Sequence, residues 1–221
     1  MKEIVLDTET TGLSVREGHR LVEIGCIELE NLIPTKKKFH CYLNPERKVS
    51  EKALEVHGYT DEFLSDKKKF SEIVDEFLIF IKDKRLIIHN AEFDLSHINN
   101  ELRILGKENI KNEIVDTLII ARDKFPGSSI SLDALCKRYR IDNSKRTQHT
   151  ALIDCDLLSK VYINLTDQKE PTLNFLVKEK SNTGVDFEDI KYFKRVIHPS
   201  KKEIENHNKY LKSSLKKNFF S

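Results

Sequence analysis

The chain has 221 residues, 38% apolar and 33% charged, with a formal net charge of +2. That length is enough for one well-buried domain with an appendage, and its patterned segments exclude wholesale disorder. The longest apolar stretch, Phe77 to Ile81, is far too short to span a bilayer, and MKEIVLDTE at the start offers no secretory apolar region.

Glu3 to Leu6 reads as a short buried strand that continues through Asp7-Thr8-Glu9. Leu21 to Leu29 and Phe39 to Leu43 read as two more strands, so the first three make a meander joined by short turns. Glu51 to Val56 is helical in composition. Phe70 to Ile81 has Phe70, Ile73, Val74, Phe77, Leu78 and Ile81 at helical spacing, with Ser71 near its start. Leu86 to Ile88 is a strand leading into His89-Asn90. Asp94 to Leu105 is a helix with Gly106 as its C-cap. Ile114-Val115 is a brief strand, and Asp116 caps a helix that stops before Pro126-Gly127. Ser131 to Tyr139 and Ala151 to Leu165 are helices. A meander followed by alternating helices and short strands implies an α/β fold, a mixed sheet with helices on its faces. From about Asp167 periodicity fades; residues 178–190 are polar, and Lys201 to Leu215 can form a last helix.

Charge and cysteine usage narrow the setting. Residues 171–221 hold 11 Lys/Arg against 6 Asp/Glu, and the first 170 residues hold 27 against 30. A slightly acidic body attracts nucleic acid poorly unless divalent metal restores local attraction. Cys26, Cys41, Cys136 and Cys155 are scattered with no CxxC pair, as expected of reduced thiols in a cytoplasmic protein.

Five residues stand out as chemistry. Asp7 and Glu9 are two apart on a strand, so both point to one face, a costly arrangement unless a cation neutralises it. Asp94 follows a strand and a polar turn, where it serves either a site or a helix N-cap. His149 and Asp154 are five apart, about 140° out of phase on one helix. They converge only if His149 precedes the helix and Asp154 lies within it. Helix phase sends Asp156 elsewhere, to solvent. Oxygen-rich donors with one histidine suit Mg²⁺ or Mn²⁺, and the histidines and cysteines lack zinc spacing. His89 and Asn90 sit at a strand end, where ligand groups gather in α/β sheets, and read equally as satisfied core polar residues. Phe93 is either a stacking surface for a base or core.

LDTETTGL, IHNAEFD and RTQHTALID, in that order across residues 3–165, resemble the three motifs of DEDD-type 3′→5′ exonucleases with a histidine in the last one. The stretch FPGSSISLDALCKRYRIDNSKRTQH resembles the proofreading branch that serves bacterial replicative polymerases. The resemblance implies a ribonuclease-H-like fold, a five-stranded mixed sheet flanked by helices with a flexible C-terminal tail. It also implies two divalent cations, Mg²⁺ or Mn²⁺. Asp7, Glu9 and Asp154 would hold the first, Asp7 and Asp94 the second, and His149 would be the general base. Thr10, Thr11, Gly12 and Leu13 match the segment cradling the terminal nucleotide, with His57 near it and His89, Asn90 and Phe93 opposite.

The implied substrate is a single-stranded or frayed 3′ end of DNA, cut to 5′-monophosphates. Residues 1–168 are then the exonuclease domain. Residues 169–190 are a linker whose EPTLNF, with anchors Leu173 and Phe175, resembles a sliding-clamp motif that begins with Glu in place of Gln. Residues 191–221 resemble a segment that docks on the alpha subunit of DNA polymerase III. Two alternatives remain at this level: an RNA-trimming member of the family, and a catalytically inactive scaffold linking clamp and polymerase.

Overall fold

Apolar residues on both faces of a strand require cover on both sides, and Ile4-Val5-Leu6 has it. This run lies in β1 (Lys2–Thr10), the middle strand of a five-stranded sheet ordered β3-β2-β1-β4-β5. The computed structural model describes residues 2–144, 146, 148–166 and 198–213. Those up to 166 belong to one unit and 198–213 to a second.

β1 pairs antiparallel with β2 (Leu21–Glu30), placing Asp7 opposite Gly25 and Glu9 opposite Glu23, with a register shift between Glu9 and Thr10. β2 pairs antiparallel with β3 (Ile33–Tyr42). β4 (Arg85–Ile88) runs parallel to β1, and β5 (Ile114–Asp116) parallel to β4. The expected mixed sheet and its leading meander are both present.

Alternation along β1 divides the core. Ile4 and Leu6 share one cluster with Phe70, Ile73 and Phe77 of α3 (Phe70–Ile81) and Ile98 and Leu102 of α4 (Ala91–Ile104). Val5 belongs to the other, with Ala121 of α5 (Thr117–Lys124), Leu135 of α6 (Leu132–Tyr139), and Leu158 and Val161 of α7 (Ala151–Leu165). Two short helices, α1 (Glu51–His57) and α2 (Asp61–Ser65), lie between β3 and α3.

Four details differ from the sequence reading. β3 begins at Ile33 rather than Phe39, because PTKKKFH is a lysine-rich edge strand whose charges hide it. α2 was not expected; five residues carry no periodicity. Ser71 does not cap α3; the Glu72 carboxylate instead accepts from the Lys69 N–H at 2.7 Å. α4 starts at Ala91, three residues before Asp94, so Asp94 is not its N-cap. Asn90 occupies that position at φ 70°, and the Asp116 carboxylate accepts from the Asn90 and Ala91 N–H groups at 3.0 Å each. Asp116 also accepts from Leu118 N–H at 2.8 Å, so one side chain caps both α4 and α5.

In the second unit, α8 (Lys201–Ser213) lies within the expected last helix. Ser200 and Glu203 form its capping box, Glu203 accepting from the Ser200 N–H at 2.7 Å and hydroxyl at 2.8 Å. Leu173 and Phe175 lie outside the described residues, as do 214–221. Among the described residues no helix is long and apolar enough to cross a membrane, and all four cysteines are free.

Candidate active site

The site gathers at the C-terminal ends of β1 and β4 and the N-terminal turns of α4 and α7. Asp7 and Glu9 emerge half-buried on one face of β1. Asp94, 3% exposed, enters from the first turn of α4 and accepts a hydrogen bond from the Thr8 hydroxyl at 2.7 Å. Asp154, also 3% exposed, lies in the first turn of α7, capped by the Thr150 hydroxyl. His149 precedes that helix, its N–H donating to the Val56 carbonyl at 3.2 Å and its Nδ1 3.3 Å from Asp154 Oδ2. The placement required for convergence is therefore the one observed. Asp156 points away and pairs with Lys160 at 2.7 Å.

One donor atom each from Glu9, His149 and Asp154 lies within 4.8 Å of the other two. Asp7 feels the charges of Asp94, Asp154, Glu9 and Glu23. Burial first, then this crowding, pushes the Asp7 carboxyl well above the ordinary range. Burial and the charges of Asp154, Glu23 and Asp94 push Glu9 up to about 8. Burial takes Asp94 up to about 7 in spite of its bond from Thr8. Asp154 goes the other way: burial opposes its charge, but the adjoining His149 ring and the hydrogen-bonded Arg146 guanidinium hold its carboxyl below the usual value. Hard oxygen donors, one imidazole and an excess of negative charge fit a divalent cation bound with oxygen-rich coordination.

A cleft of about 700 Å³ adjoins this cluster, lined by Thr10, Gly12, Leu13, His57 and Phe93 among the expected residues. Leu13 stands 79% exposed beside it. Thr10 donates from its hydroxyl to the Gly12 carbonyl at 2.8 Å. Thr11 is fully buried beneath the turn, with its hydroxyl 3.0 Å from His19 Nδ1, so it props the cradle rather than lining it. A Cβ at Gly12 would collide with the His19 ring, which is why this turn needs glycine. Tyr59 N–H donates to His57 Nδ1 at 3.0 Å, and His57 Nε2 faces the Thr10 carbonyl at 3.3 Å. A carbonyl can only accept, so that proton sits on Nε2, and His57 offers the cleft its ring rather than a free nitrogen. Burial lowers its pKa. His89 and Asn90 do not line this cleft: His89 Nδ1 is 2.9 Å from the Thr117 hydroxyl, and Asn90 is an exposed helix-start residue.

Sequence reading missed three residues that build the site. Glu23, fully buried on β2, accepts from the Tyr59 hydroxyl at 2.8 Å and the Ala151 N–H at 2.9 Å, and its Oε1 is 2.6 Å from His40 Nε2. It thereby ties β2, β3 and the connection between α1 and α2 to the start of α7. A lone acid inside LVEIGCI was the available signal. Gly25 lets α7 approach β2, because a Cβ there would lie 2.6 Å from the Ala151 carbonyl carbon. Arg146 grips Asp154 through Nε to Oδ1 at 2.6 Å and Nη2 to Oδ2 at 2.7 Å.

Four carboxylates and a histidine gather at the strand ends of a mixed sheet, and the chain belongs to the exonuclease family, whose RNase T model matches residues 4–162. It is similar along nearly its whole length to epsilon subunits of DNA polymerase III. The Rickettsia typhi protein is 45% identical, with 97% of each chain covered. The Salmonella typhimurium protein is 40% identical, covering 98% of this chain and 94% of its own. In structure, the chain resembles the nuclease domain of 3′hExo, a DEDDh family member solved with rAMP, at a TM-score of 0.64 and 14% identity over 76% of this chain and 92% of that one. The fold is thus that of DEDDh exonucleases, with a metal-dependent family chemistry and a candidate acidic and histidine site to serve it.

Proposed function

We infer that this chain is the proofreading 3′→5′ exonuclease of a bacterial replicative polymerase, removing mispaired terminal nucleotides from DNA as 5′-monophosphates. The convergence of Glu9, His149 and Asp154 within 4.8 Å, beside Asp7 and Asp94, carries this reading. Its similarity to epsilon subunits supports the assignment of partner and substrate.

Asp7, Glu9 and Asp154 would hold one divalent cation and Asp7 with Asp94 a second, Mg²⁺ or Mn²⁺. Such ions lower the pKa of water and neutralise charge on the scissile phosphate. His149, at the mouth of the cluster, accepts the proton of the attacking water. The turn through Thr10, Thr11, Gly12 and Leu13 holds the terminal nucleotide, with the bodies of His57 and Phe93 against it. The expected residues lining this cleft offer backbone, hydroxyl, ring and aliphatic surface rather than a set of base-reading donors. Selection therefore rests on how easily an end unpairs, and a mismatch lowers that cost.

In this plan residues 1–168 are the catalytic domain and 191–221 reach the alpha subunit of the polymerase. The amphipathic α8, with Ile204 and Tyr210 exposed, supports that role. Residues 169–190 form the linker, and Leu173 and Phe175 offer the sliding clamp two apolar anchors.

The test is digestion of a primer with a mispaired 3′ end. Wild-type protein releases 5′-mononucleotides with Mg²⁺ or Mn²⁺, Asp154→Asn is nearly inactive, and His149→Ala loses roughly 10²–10⁴ in rate. Undiminished cleavage in chelator, or strong preference for RNA of equal length, would defeat the reading.

A further inference from the structure

We propose that Arg146 is a built-in competitor of the metal, a guanidinium that occupies Asp154 and His149 together and must release both before the site can work. The proposal rests on the nuclease reading above.

Arg146 lies on the segment between α6 and α7, with its side chain only 7% exposed. Its Nε and Nη2 engage both oxygens of Asp154, a two-point fork on one carboxylate. The same Nη2 is 2.7 Å from His149 Nδ1. A guanidinium has only donors, so Nδ1 accepts. In that arrangement the lone pair of Nδ1 is spent and the neutral ring carries its proton on Nε2, leaving neither nitrogen ready to take a proton. One cation thus engages a proposed metal ligand and the proposed base.

Asp154 cannot offer both oxygens to the fork and also turn one fully to a divalent ion. Arg146 has somewhere to go: its Nη1 is 2.6 Å from Asp133 Oδ2 in the first turn of α6, a carboxylate that is 55% exposed and outside the metal cluster. Transfer of Asp154 from guanidinium to metal leaves Arg146 held by Asp133. A fixed supporting arginine makes the opposite prediction, because its loss would misplace Asp154 and weaken metal binding.

The experiment is calorimetric titration of Mn²⁺ into chelator-stripped full-length protein, without DNA. Arg146→Gln is expected to bind Mn²⁺ about tenfold more tightly or better. Arg146→Lys, which keeps charge but loses the fork, falls between that variant and wild type. Should the variants not fold, the wild-type Arg146 Nε–H resonance is followed during Mg²⁺ titration. It should shift along a curve with the same midpoint as binding. Equal or weaker Mn²⁺ affinity in the variants, or a resonance unmoved at saturating Mg²⁺, overturns the proposal and leaves the nuclease reading standing. Failure of wild-type protein to bind Mn²⁺ at all, with nuclease activity surviving chelator, overturns that reading and this proposal with it.

Discussion

Asp7, Glu9 and Asp94 are carboxyls that the fold holds in a protonation state unlike that of the unfolded chain. Glu9 moves from 4.5 to about 8 and Asp94 from 3.8 to about 7. With folded values above unfolded ones, the native protein binds more protons across that interval. Its stability is greatest below the unfolded values and declines as pH rises. In chelator, melting temperature should therefore fall between about pH 4.5 and pH 8, and Mn²⁺ should remove most of the slope by replacing protons with metal. Thermal melts across this range, with and without Mn²⁺, check it; a profile flat in chelator would mean the cluster ionises normally. Strand period put Asp7 and Glu9 on one face beforehand, whereas helix phase let His149 and Asp154 converge only if the histidine preceded the helix, as it does. Arg146 was not legible. It sits in an aperiodic segment, and nothing in the sequence there tells that its side chain turns inward.

α7 delivers Asp154, and what seats it lies on β2. Gly25 leaves room for the Ala151 backbone, and Glu23, two residues along the same strand face, accepts its N–H. Gly25→Ala should cost about 1–3 kcal/mol through overpacking. It should also weaken Mn²⁺ binding, because the helix start that presents Asp154 is displaced. Urea unfolding and metal titration of the one variant test both halves. Asp116→Ala should destabilise by about 1–2 kcal/mol, at the upper end of single-cap losses, because it uncaps α4 and α5 together; urea unfolding measures it. Strong periodicity made α3 and α7 legible to the residue. The start of α4 was hidden because its cap comes from 26 residues downstream. The first half of β3 was hidden because lysines on an edge strand look like loop.

The whole chain joins an acidic catalytic body to a basic C-terminal stretch, a division readable from charge and fading periodicity. Every residue proposed for chemistry lies between positions 7 and 154, within the first unit. Protein ending at residue 168 should therefore digest short single-stranded DNA at the full-length rate yet fail to co-elute with the polymerase alpha subunit. Comparison by size-exclusion chromatography and nuclease assay decides this. The cooperating groups lie far apart in the chain, and only the fold brings them together. β1 is the central strand, and its ligands wait on a helix that ends at Leu165. During synthesis the ribosome must release nearly the entire first unit before a single phosphodiester is at risk. Assembly from both ends of the first unit thus works as a safety catch, confining cutting power to copies in which that unit is complete.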